Sequence, residues 1–112
     1  MCSYKILVHN KWGYIVKCNN CNHFQIAFGT TVISLKTELF QEFRLQIKEL
    51  KQTTVYNGFP KQKYIPVKTH HEDVLMTLNY NELQRLFALI DEAMLANEMN
   101  QLLIQNKIEF RI

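Results

Sequence analysis

The sequence predicts an α+β domain: an antiparallel β-meander of about four N-terminal strands packed with two α-helices, plus a short hairpin and a C-terminal strand. Three observations predict it. Apolar residues alternate with the two-residue period of strands over positions 4–35. They change to helical spacing near residue 37 and again near residue 80. The connections within the first part are only a few residues long, which joins neighbouring strands antiparallel. At 112 residues, 47% of them apolar, the chain is long enough to bury its own core as a single domain, 1–112.

Taken in order, residues 4–9 and 12–18 read as two strands joined by a turn at Asn10-Lys11, with Gly13 beside it. The run Cys18-Asn19-Asn20-Cys21-Asn22-His23 then interrupts the pattern as a tight knuckle. Strand periodicity resumes at His23, with Phe24, Ile26 and Phe28 on one face. Gly29-Thr30 suits a two-residue type II′ hairpin turn, which takes glycine first, and Thr31–Leu35 returns as the fourth strand. Leu39, Phe40, Phe43, Ile47 and Leu50 make one helical stripe, with Ser34 or Thr37 available as its cap. Asn57-Gly58-Phe59-Pro60 ends that pattern, and a basic, aromatic loop leads to strands at 64–68 and 74–79. Pro66 places the first of these at a sheet edge. Asn79 followed by Glu82 is a capping-box start for a second helix. Its stripe runs through Leu83, Leu86, Phe87, Ile90 and Met94, then shifts to Leu95, Met99, Leu102 and Leu103. That shift predicts a helix buried on two sides, or one that bends near Asn97. Lys107–Ile112 alternates as a closing strand would.

Composition narrows the function classes. No apolar run reaches the length of a membrane span, and Met1–Lys5 leads into too short an apolar stretch for a secretory signal. The expected compartment is cytoplasmic, where paired cysteines serve as metal ligands or redox thiols more often than as structural disulfides. Residues 1–70 hold ten Lys/Arg against three Asp/Glu, and residues 71–112 hold three against seven. The basic residues are dispersed singly, which fits complementary packing of the two parts better than a nucleic-acid face. The chain has no nucleophile elbow, no phosphate-binding glycine loop and no His-Glu-x-x-His motif.

The knuckle carries the chemistry. Two cysteines separated by two residues across a tight turn present half of a tetrahedral zinc site. The residue after the second cysteine needs φ > 0, and asparagine, here Asn22, is the best substitute for glycine there. If the first hairpin pairs about its turn, Cys18 lies opposite Lys5 and Cys21 near Cys2, which brings Cys2 to the same end. His9 sits at the opposite turn, more than about 20 Å away at 3.3 Å per residue. His23 follows Cys21 at i+2 and is the nearest fourth ligand; only one of His70 and His71 could join, since neighbours on an extended segment point apart. The expected zinc (Zn²⁺) ligands are therefore Cys18, Cys21, Cys2 and His23.

Two other readings share these residues. Cys18 and Cys21 could form a thiol redox sensor with Cys2 as the resolving thiol. Strand pattern after Cys21, in place of a helix, argues against a dedicated thioredoxin-like oxidoreductase. Trp12, Tyr14, Phe24 and Phe28 among Lys5, Lys11 and Lys17 resemble a platform for single-stranded nucleic acid, although aromatics on a helix-covered meander belong more often to the core. An unidentified protein partner is the favoured ligand, with the loop Tyr56–Tyr64 as its best exposed surface.

Met1-Cys2, the hairpin with Gly13, Cys18-x-x-Cys21 and Phe24-Gln25-Ile26-Ala27-Phe28-Gly29-Thr30 resemble a family of small uncharacterised bacterial proteins. The likeness spans the chain and is specific up to about residue 31. It implies that Cys2 belongs with the knuckle, and it implies no activity. Members of that family often have glycine where this chain has Asn22.

Overall fold

Alternating apolar residues form four strands, β1 (Tyr4–Asn10), β2 (Gly13–Cys18), β3 (His23–Phe28) and β4 (Thr31–Lys36), in a computed structural model that describes residues 3–105. They pair in sequence order as one antiparallel sheet. Helix α1 (Thr37–Thr53) follows directly, then a hairpin of β5 (Ile65–Lys68) and β6 (Leu75–Leu78), then α2 (Tyr80–Gln105). The α+β class, the four-strand meander, the hairpin and both helices match the sequence pattern. The closing strand expected over 107–112 lies outside the described residues, as does Cys2.

The core lies between the sheet and the two helices. Phe24, Ile26 and Phe28 of β3 turn inward with Ile15, Ile33 and Leu35, and meet Phe40, Phe43 and Ile47 of α1. Phe24 and Phe40 stack with ring centroids 4.1 Å apart and planes within 10°. Leu83, Leu86, Leu89, Ile90 and Ala93 close the other side from α2. Each fully buried leucine or phenylalanine contributes on the order of 2 kcal/mol of transfer free energy. The strand period of two and the helical stripe therefore point the same set of side chains at one another.

Three local details differ from the sequence reading. The β1–β2 ladder shifts register between Ile6 and Val8, so Cys18 pairs with Tyr4 and Lys5 with Lys17. A bulge of this kind seats one extra residue on one strand, and here both Leu7 and Val8 are buried. Helix α1 is entered through Lys36 without a side-chain cap. Thr37 Oγ1 instead donates to the Asn22 carbonyl at 2.8 Å, tying the helix start to the knuckle. The shifted stripe on α2 is not buried on a second side: Leu95, Met99 and Leu102 are all more than half exposed.

The start of α2 behaves as expected. The Glu82 N–H donates to Asn79 Oδ1 and the Asn79 N–H donates to Glu82 Oε1, both at 2.8 Å. Each thereby satisfies a donor that the first helical turn leaves without a partner.

Candidate functional site

The knuckle joins the end of β2 to the start of β3. Residues 19–21 form the turn, and the Asn19 N–H donates to the Ser3 carbonyl at 2.8 Å, fastening it to the chain before β1. Asn22 takes φ = +54°, the left-handed conformation that the sequence pattern requires there. Thr37 holds that residue's carbonyl from the other side. The turn is thus fixed from two directions, by the N-terminal segment and by α1.

The two cysteines occupy unlike environments. Cys18 is fully buried and its sulfur is in a disulfide. Cys21 is an exposed thiol. His23 opens β3, opposite Lys36 in the ladder, and its ring folds back so that Nδ1 donates to the Cys21 carbonyl at 3.0 Å. A carbonyl only accepts, so Nδ1 carries a proton in this contact and Nε2 is the ring nitrogen turned away from it. Of the four residues expected to gather here, Cys18, Cys21 and His23 belong to one turn; Cys2 lies outside the described residues. Among the described residues, no group of three or more His, Cys, Asp or Glu side chains is arranged to hold a metal ion.

A cleft of about 430 Å³ opens beside Cys21, between the knuckle, the entrance to α1 and the far end of α2. Lys17, His23, Lys36, Glu38 and Gln101 line it with Cys21. Lys17 Nζ lies 3.3 Å from Asn97 Oδ1 and over the Phe24 ring at 5.5 Å. Sequence reasoning placed the thiols here but missed Lys36, Glu38 and Gln101. Their convergence depends on how the helices pack, which no local pattern encodes.

The other expected surfaces fall elsewhere. Phe24 and Phe28 are core residues, so the aromatic platform considered for nucleic acid loses two of its four rings. Trp12 sits at the opposite turn, with Arg85 Cζ 3.8 Å and Lys11 Nζ 4.7 Å from its ring centroid. His70 reaches Glu42 at 3.8 Å, and His71 Nε2 donates to the Ser34 carbonyl at 3.1 Å; both lie in the connection between β5 and β6. The loop between α1 and β5 is held by its own bonds. Tyr64 donates its hydroxyl to the Val55 carbonyl, and Asn57 bonds both Gln62 and the Phe59 N–H. It leaves Val55 and Phe59 exposed, and a cleft of about 540 Å³ is lined by Phe59, Pro60, Lys61 and Gln62.

Fold and site together define a small α+β domain with an N-terminal cysteine knuckle packed against the entrance of its first helix. The chain belongs to DUF6686, a family of unknown function whose model matches residues 1–112. Neither the curated proteins nor the solved structures gave a match. No helix among the described residues is long and apolar enough to cross a membrane.

Proposed function

We propose that this domain is a thiol-responsive binding module, with Cys18 and Cys21 as its chemical centre and the loop between α1 and β5 as its contact surface for a protein partner. One observation carries the thiol reading: a buried, disulfide-bonded Cys18 stands one turn away from an exposed Cys21. A thiolate can attack a neighbouring disulfide. Here a new S–S bond would join Cys21 to Cys18, and the displaced sulfur would leave as a thiolate. The exchange neither consumes nor releases electrons. It would move a cross-link into the knuckle turn and change what holds the end of β2. The partner reading is supported by Val55 and Phe59, which a self-bonded loop keeps in solvent.

Disulfide mapping by mass spectrometry tests the thiol reading. Oxidised protein is expected to yield Cys18 in a bridge, and partial reduction is expected to accumulate a Cys18–Cys21 bridge that Cys21→Ser abolishes. Finding both cysteines unbridged after oxidation would overturn it.

Zinc is the second reading, and two observations favour it. Asn22 has the φ that a metal knuckle needs, and His23 presents Nε2 with its proton held on the other nitrogen. The ligands would be Cys18, Cys21, Cys2 and His23, and this reading requires the disulfide at Cys18 to open. One zinc per chain in freshly purified, reduced protein would establish it in place of the thiol reading.

A further inference from the structure

Helix α2 has two apolar faces, and only one of them belongs to the core. Leu86, Ile90 and Ala93 are buried, with Asn97 one turn further on. At about 100° per residue, Leu95, Met99 and Leu102 fall on the opposite side of the helix. They are spaced i, i+4 and i+7, so they form one continuous stripe, and they are 56%, 60% and 54% exposed. Ala88 is exposed seven residues before Leu95. The stripe thus keeps the seven-residue repeat by which one helix packs against another.

The charges around this stripe are of one sign. Glu92 stands in its line, between Ala88 and Leu95, and Glu98 flanks Met99; both are exposed. Among the described residues neither is in an ion pair. Asp91, on the same flank as Glu98, shares a crevice with Arg44 and Lys48 of α1. From Phe87 to Gln105 the helix contains no Lys or Arg. Its last turn therefore has no basic residue to offset the partial negative charge of a helix C-terminus.

Those charges select the occupant. A second copy of the chain is disfavoured in either orientation: a parallel pair of α2 helices sets Glu92 against its twin, and an antiparallel pair sets the Asp91–Glu98 flank against itself. A helix with lysine or arginine beside its own apolar stripe meets complementary charge instead. We propose that this face of α2 docks an amphipathic helix of a partner protein, apolar along one side and flanked there by lysine or arginine. Leu95, Met99 and Leu102 pack against the partner's apolar residues, and Glu92 and Glu98 set its charge and orientation. The inference involves no cysteine and no residue of the loop between α1 and β5, so it stands apart from the function proposed above.

Isothermal titration calorimetry on the full chain tests this with two synthetic helical peptides of the same apolar pattern, one of leucine and lysine and one of leucine and glutamate. The lysine peptide is expected to bind about tenfold more tightly than the glutamate peptide. Met99→Gln should weaken its binding about tenfold, the loss of one apolar anchor. Glu98→Gln should weaken it about threefold, the effect of one charge about 7 Å away in water. Both residues are exposed, so neither variant disturbs the core. Phe59→Ser, on the loop between α1 and β5, should leave the affinity unchanged. Equal affinity for the two peptides, no binding of either, or binding that Met99→Gln leaves intact would overturn the inference. So would binding lost in Phe59→Ser, which would move the contact to the loop. Sedimentation of the chain alone is expected to show a monomer; a dimer that Met99→Gln dissociates would make a second copy the occupant and overturn the inference as well.

Discussion

A Cβ added to Gly13 would lie 1.9 Å from the main-chain carbonyl oxygen of Ala27. Gly13 begins β2 and pairs with Phe28 across the ladder, so the constraint is close approach of two strands and not an unusual φ. Gly13→Ala must push the strands apart where the sheet turns. The expected cost is about 1–3 kcal/mol, as for other overpacked sites. Chemical denaturation of the variant against the parent checks it.

Asn22 is held at φ = +54° between two anchored segments. Asn22→Gly is expected to be close to neutral, because glycine adopts that conformation without a steric cost. Asn22→Val should lose about 1–2 kcal/mol, the penalty for a β-branched residue in the left-handed region. Thermal melts of the two variants, measured in reductant to separate backbone strain from cross-linking, distinguish these outcomes.

The Phe24–Phe40 stack links β3 to α1 at the centre of the core. Phe40→Ala should destabilise the fold by about 3–5 kcal/mol. It should also loosen the knuckle, because the start of α1 carries the Thr37 bond to Asn22. Loss of stability without any change in hydrogen exchange at the Asn22 turn would break that second link.

Asn79 and Glu82 give a pH-dependent contribution. Burial acts to raise the Glu82 carboxyl, but the bond from Lys63, the Asn79 N–H and the nearby Lys63 and Arg85 charges outweigh it, so the group sits below its ordinary value. A depressed carboxyl stabilises the fold above its unfolded pKa, and that stabilisation is lost as pH falls through the folded value. Glu82→Gln should therefore flatten the acid limb of stability below about pH 4.5. Asn79→Ala, which removes the other half of the box, should cost about 1 kcal/mol near neutrality. A pH series of denaturation midpoints for both variants tests the sign.

Periodicity was enough to place the four strands, the stripe Phe40–Phe43–Ile47 and the capping box at Asn79, because each is a local pattern read by a local structure. The bulge at Leu7 was not legible. Leu7 and Val8 are both apolar, so the sequence carries no mark of which one is the extra residue. The same blindness made Thr37 look like a helix cap, when its hydroxyl is drawn to Asn22 by a contact 15 residues back in the chain. At the site, the knuckle and its left-handed asparagine were readable. The contrast between a buried Cys18 and an exposed Cys21 was not, since both cysteines flank the same polar turn. The exposed stripe Leu95–Met99–Leu102 shows the reverse error, an apolar pattern that the core does not claim.

The central claim is that the knuckle acts through its thiols. The most direct test combines a thiol count with elemental analysis on untagged protein purified without reductant or chelator. The thiol account predicts zinc far below one per chain and fast labelling at Cys21. It also predicts that the count of labelled thiols reaches three only after reduction and unfolding. About one zinc per chain, with every thiol shielded until a chelator is added, would contradict it and make the knuckle a structural metal site.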